Sequence, residues 1–174
     1  PDDRAWAQEW VQDIVAAEGV PITPPVKDEI WSGLHNLAEG PRDQRTLTLL
    51  AATLQDQAVK AALTPYTLSG PYGHLLDANQ NALKPAAWQT FEMAELMASK
   101  SALAPVLTYI FRRLERRFDG RPTLLVLDEA WRFLDQGAFA AKIREWLKTL
   151  RKLNVAVVFA TQSLADVARS SIAP

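Results

Sequence analysis

The sequence predicts an α/β protein whose core strands run side by side and parallel. Three observations carry that expectation. The runs Thr123–Leu127 and Val155–Ala160 are short, aliphatic and bounded by turn residues, as strands buried on both faces are. Between them, residues 138–153 place Phe139, Ile143, Trp146, Leu147, Leu150 and Leu153 on one helical face, and Asn154 stops the run. Strand, helix and strand in that order form a right-handed crossover unit with parallel strands. Before residue 66 only helical periodicities occur. The expected organisation is therefore a helical subdomain over 1–65 and a core over 66–174.

The helical part reads as three amphipathic segments. Residues 3–17 align Trp6, Trp10, Val11, Ile14 and Val15, and Gly19 follows as a stop. Thr23 precedes Pro24-Pro25, a helix N-cap followed by prolines in the first turn, where a missing N–H costs nothing. Val26, Ile30, Leu34 and Leu37 then repeat at helical spacing until Gly40-Pro41. A third helix is expected from Leu47 to Ala61, ending before Pro65. Tyr66–Pro85 holds two prolines, two glycines and two asparagines, so loop and turn are expected there. A short strand at Trp88–Met93 and a helix over 101–118, with Leu103, Leu107, Phe111, Leu114 and Phe118 inward, complete the expected elements.

Composition excludes several function classes. With 174 residues, 48% hydrophobic and 22% charged, the chain is an ordinary globular domain in content. A net charge of −1 provides no global basic field, so nucleic acid or anionic membrane could be met only through a local patch. The absence of cysteine removes disulfides, thiolate metal sites and Cys nucleophiles. His35 and His74 lack acidic companions at ligand spacing, and Ser170 and Ser171 have no nearby histidine, so neither zinc nor serine-hydrolase chemistry is expected. No apolar run reaches the roughly 18 residues that span a bilayer. No Gly-Lys dipeptide occurs, so no Gly-x4-Gly-Lys phosphate loop is present in these residues. A chain that opens Pro1-Asp2-Asp3 and stops at Pro174, soon after a strong motif, is expected to be a piece of a longer protein.

The chemistry gathers at the carboxyl ends of the two strands, where catalytic groups sit in parallel sheets. In Leu124-Leu125-Val126-Leu127-Asp128-Glu129, four aliphatics end abruptly in two adjacent carboxylates, a costly arrangement unless the charges serve a purpose. In phosphate-loop nucleotidases the first acid at such a strand end holds the magnesium shell and the second orients and deprotonates the attacking water. The alternative is that Asp128 caps the next turn and Glu129 is solvated. The second strand ends in Thr161-Gln162-Ser163. A glutamine there can hydrogen-bond an attacking water or report a γ-phosphate, or the tripeptide simply starts a helix with Ser163 as its cap. Arg112, Arg113, Arg116 and Arg117 form a basic helical face that suits an arginine finger, nucleic-acid phosphates or a solvated surface around Glu115.

Longer stretches carry a resemblance. Gly120–Trp131, Ile143–Lys152 and Ala160–Asp166, with Gly70–Asp77 and Gln89–Met93, are similar to the conjugation and type IV secretion ATPases, the TrbE-like and VirB-type proteins. These belong to the FtsK–HerA group of RecA-like P-loop ATPases. The resemblance runs from about residue 45 to the end. It implies part of a RecA-like parallel sheet flanked by helices, an all-helical insert at the N-terminal end, and a phosphate loop (Walker A) upstream of residue 1.

By position, Asp128 would be the Walker B acid on the Mg2+ side and Glu129 the catalytic base. Thr161 would lie against the ATP and Gln162 would sense its γ-phosphate. One of Arg113, Arg116 and Arg117 would act in trans, with Arg117 taken as the candidate. The family further implies a hexamer at the cytoplasmic face of the bacterial inner membrane, associated with other secretion components. It would power pilus assembly or substrate transfer by Mg-dependent ATP hydrolysis. Two competing expectations are a DNA-translocating or DNA-binding motor of the same superfamily and, for these residues in isolation, a non-catalytic interaction module.

Overall fold

A computed structural model describes residues 2–80, 83, 86–128 and 137–161. It divides into two compact units, Pro1–Val106 and Leu107–Pro174.

The first unit is helical. Helix α1 (Asp2–Ala17) buries Trp10, Val11, Ile14 and Val15 on the stripe its sequence spacing requires, with Trp6 stacked on Trp10 at 5.7 Å. Gly19, at φ +84°, closes α1: Val20 N donates to Val15 O and Gly19 N to Ala16 O, the double bond pattern that a left-handed residue after a helix allows. Helix α2 (Pro24–Glu39) packs on α1 and starts after Thr23, which has the extended backbone of an N-cap. The Thr23 hydroxyl makes no capping hydrogen bond, so the prolines rather than the side chain set this start. Gly33 lets α2 approach its neighbour closely, since a Cβ there would lie 2.9 Å from the Leu50 side chain.

The single helix expected over Leu47–Ala61 is two, α3 (Leu47–Thr53) and α4 (Gln57–Leu63). The break is stabilised from two directions. Asp56 accepts from Ala58 N and Val59 N as the cap of α4, and Glu29 of α2 accepts from Gln55 N and Asp56 N. Leu54, in the break itself, is buried.

Residues 64–77 form a tightly wound turn that ends in the short helix α5 (Gly73–Leu76). A Cβ on Gly73 would lie 2.1 Å from the Thr67 carbonyl oxygen, so backbone packs directly on backbone. Asp77 fastens this turn to α3. Its buried carboxylate accepts from Leu47 N at 2.7 Å, Thr48 N at 3.1 Å, Leu68 N at 2.8 Å and the Thr48 hydroxyl. It thereby satisfies donors of the first turn of α3 that no helical carbonyl can reach.

No strand forms at Trp88–Met93, contrary to expectation: among the described residues only two strands occur, and they pair with each other. Short α6 (Ala94–Ala98) leads into α7 (Lys100–Glu115), which contains Pro105. A proline inside a helix leaves the carbonyl four residues earlier without its donor. Here that carbonyl, on Ser101, accepts from the Tyr66 hydroxyl at 3.1 Å, and Trp10 Nε1 donates to Pro105 O at 3.0 Å. Two buried aromatic side chains thus stitch the proline turn to the helical core.

The second unit holds β1 (Thr123–Asp128), α8 (Gly137–Leu150) and β2 (Val155–Ala160). The strands are parallel, with Thr123 opposite Val155 and Asp128 opposite Ala160. Asn154 adopts the left-handed conformation (φ 59°) that ends the helical stretch and turns the chain into β2. Trp146 of α8 packs against Phe111 and Phe118, with ring centroids at 4.6 and 6.2 Å. The fold is thus the expected α/β type, a parallel sheet with flanking helices. One expectation fails: the strands are not buried on both faces. Leu127 and Val155 are buried on one face, whereas Leu124 and Val126 on the other are 61% and 54% exposed. Alternation sends even-numbered residues to a face that nothing among the described residues covers.

Candidate active site

Parallel pairing decides which polar groups meet. Because Asp128 stands opposite Ala160, the residue that follows Ala160, Thr161, emerges beside the end of β1. Asp128 is exposed at the last position of β1 and Thr161 is half-buried at the exit of β2. A carboxylate and a hydroxyl therefore leave the sheet together at its carboxyl edge, the edge where ligands of parallel α/β sheets sit. Asp128 lies on the exposed face with Leu124 and Val126, so its oxygens face solvent rather than the packed side.

Glu129 and Gln162, the residues that immediately follow these two strand ends, lie outside the described residues. Arg117 sits elsewhere. It is exposed just beyond α7, its N–H bonded to Leu114 O at 2.9 Å, on the approach to the amino end of β1. Five residue steps along β1 separate that end from Asp128. At about 3.3 Å per residue the two ends are roughly 16 Å apart, so one copy does not bring Arg117 to Asp128. Arg113, on the same helical face, is half-buried, and Arg112 pairs with Glu115 at 3.4 Å.

Among the described residues no three His, Asp or Glu side chains gather as a metal cage. One exposed carboxylate beside a half-buried hydroxyl is compatible with a cation held mainly by waters and phosphates.

The buried carboxylate Asp77 escaped the sequence reading, which took its segment as loop. Its donors come from 9, 29 and 30 residues away, and only the glycine-rich turn before it hinted at a tight structure. Its ring of backbone donors marks it as an architectural group.

With this geometry in place, comparison with known proteins is decisive. The TraG P-loop domain model matches residues 52–173. The chain belongs to the TraG P-loop domain family. Within it, the chain is 48% identical over 171 residues to a probable conjugal transfer protein TrbE of Sinorhizobium fredii, covering 98% of this chain and 26% of that protein. It is 47% identical to the conjugal transfer protein TrbE of Rhizobium radiobacter, over 98% of this chain and 21% of that one. A type IV secretion system protein VirB4 of Bartonella henselae is 28% identical over 98% of this chain and 22% of its own length. The chain thus spans about a quarter of the length of the curated relatives it matches. The resemblance drawn from the strand-end motifs holds, and the parallel strand pair with its helices fits a P-loop NTPase-like α/β fold. No helix among the described residues is long and apolar enough to cross a membrane.

Proposed function

We propose that this chain carries the hydrolytic strand ends of an ATPase that powers type IV secretion or conjugative transfer. The observation that supports this most is the register of β1 and β2, which delivers Asp128 and Thr161 to one sheet edge in a member of the TraG P-loop domain family. In this reading Asp128 holds the hydrated Mg2+ through its exposed oxygens, and Thr161 lies against the nucleotide beside it. Bound Mg2+ supplies charge neutralisation on the phosphate oxygens. Glu129 takes the proton of the attacking water, and Gln162 orients that water and senses the γ-phosphate. Arg117, remote from Asp128 within one copy, serves a neighbouring subunit of a homo-oligomer, a hexamer on this reading. The phosphates themselves need backbone amides and a lysine. These residues contain no Gly-x4-Gly-Lys sequence, so that loop comes from another region of the full protein. The machine works with other secretion components at the inner face of the bacterial inner membrane.

The test is Mg-ATP turnover in a longer form of the protein that includes a phosphate loop. Glu129→Gln should lower kcat by about 100-fold or more while nucleotide binding persists, because only the proton acceptor is lost. Turnover unchanged by that substitution would remove Glu129 from the role of base.

A further inference from the structure

Arg117 sits on a corner of the chain that is fastened from two directions. After α7 the backbone keeps winding: Arg116 N donates to Arg112 O at 3.3 Å, Arg117 N to Leu114 O at 2.9 Å and Phe118 N to Glu115 O at 3.1 Å. The last two bonds close shorter turns than an α-helix has, so the coil tightens as it ends. Arg117 is exposed there, whereas Phe118 beside it is half-buried. Phe118 rests on Trp146 of α8, and Phe111 of α7 lies on the same indole. Ring pairs at these separations attract beyond the area they bury. The Trp146 N–H is buried with no hydrogen-bond partner among the described residues, so Trp146 serves here as an apolar ring.

The second fastening lies two residues beyond Phe118. Gly120, at φ +90°, turns the chain in a conformation that side-chain-bearing residues rarely adopt, and its carbonyl accepts from Asn154 Nδ2 at 3.0 Å. Asn154 is itself left-handed, and its own carbonyl accepts from Thr123 N at 3.1 Å, at the start of β1. Trp146 and Asn154 both belong to the stretch that joins β1 to β2. The corner that carries Arg117 is therefore held by the crossover connection as well as by α7.

An arginine that works across a subunit boundary must arrive in a fixed place. Its long side chain has much rotamer freedom to lose, and a displacement of about 1 Å near the reacting atoms can cost about 100-fold in rate. Fixing the backbone beneath it removes one source of that displacement. We propose that Phe118, Trp146 and Asn154 are positioning residues for Arg117 and set the place from which it reaches the neighbouring copy's nucleotide. The inference rests on the in-trans role given to Arg117 above.

Mg-ATP turnover by mixed oligomers of the longer form that includes a phosphate loop tests it. Glu129→Gln copies still offer Arg117 and Arg117→Ala copies still offer Glu129, so mixing them should raise turnover about tenfold or more over either alone. Phe118→Ala added to the Glu129→Gln copies should lower this restored kcat about tenfold, with KM for ATP changed by less than about twofold. Added to the Arg117→Ala copies, it should cause no further loss, because the arginine it positions is already gone. Asn154→Gly keeps the left-handed backbone, removes only the side-chain bond and should repeat the asymmetry. In the Glu129→Gln copies, Trp146→Phe, which keeps an apolar ring, should lower the restored turnover less than Trp146→Ala.

Three results would overturn the positioning role and leave that of Arg117 standing: equal losses from either copy, losses from neither, or equal losses from Trp146→Phe and Trp146→Ala. A mixture of Glu129→Gln and Arg117→Ala copies that restores no turnover would overturn the in-trans role of Arg117, and the positioning role with it.

Discussion

The two units solve the same problem of buried backbone differently. In the helical unit the breaks are closed locally by side chains from elsewhere in the sequence: Asp77 on the start of α3, Glu29 on the α3–α4 break, and Tyr66 on the carbonyl freed by Pro105. In the strand unit one parallel pairing satisfies only the facing edges of β1 and β2, and among the described residues an apolar face of the sheet stays uncovered at Leu124, Val126 and Val158. A helix satisfies its own backbone, so a helical unit needs only its ends and breaks completed. A sheet needs further layers, and two parallel strands supply neither the edges nor both faces. The helical unit is therefore the more self-sufficient of the two.

The largest effect should come from removing Asp77. Asp77→Ala leaves the N–H groups of Leu47, Thr48 and Leu68 without their acceptor in a buried setting, and should cost about 3 kcal/mol or more. Urea denaturation followed by helical circular dichroism reads this directly. A loss under about 1 kcal/mol would mean that water replaces the carboxylate.

A smaller effect with a distinctive pH signature is expected at Tyr66. Burial first, then the hydrogen bond to Glu18, pushes its hydroxyl well above the usual tyrosine value of 10.0. Its folded pKa exceeds its unfolded one, so this contribution is complete below pH 10 and is lost as pH rises past that value. Tyr66→Phe should cost about 1 kcal/mol at neutral pH through the lost bonds to Ser101 O and Glu18. It should also flatten the alkaline decline in stability relative to the unsubstituted chain. Parallel declines in the two proteins would count against a buried, neutral Tyr66.

What was legible in the sequence follows the range of the interactions. Aliphatic runs and helical stripes are written in neighbouring residues, so β1, α8, β2, α1 and α2 could be placed, and the strand ends pointed to Asp128, Glu129 and Gln162, of which Asp128 lies among the described residues. The split of α3 from α4 rests on the local cap Asp56 and on Glu29, 26 and 27 residues away, and the clasp at Asp77 on donors up to 30 residues away. Periodicity carries no trace of either. The exposure of Leu124 was equally hidden, because an aliphatic run looks the same whether or not a second layer covers it. A total of −1 likewise concealed a net −6 over residues 1–106 (7 Lys/Arg against 13 Asp/Glu) and a net +5 over 107–174 (12 against 7), which separate only once the unit boundary at Val106 is known.

The smallest effect sharpens the contrast most. Leu124 and Leu127 lie in one strand of similar residues, yet Leu124 is exposed on the uncovered face and Leu127 is buried. Leu127→Ala should cost about 2–3 kcal/mol, the ordinary penalty for emptying a packed leucine site. Leu124→Ser should change stability by less than about 0.5 kcal/mol, because the side chain it removes is already in water. If Leu124→Ser proves as costly as Leu127→Ala, the even-numbered face is covered in solution, whether by self-association or by another region of the chain. Repeating the measurement in a full-length relative then locates the missing layer: a position neutral here and costly there is one that the remaining three quarters of the protein covers.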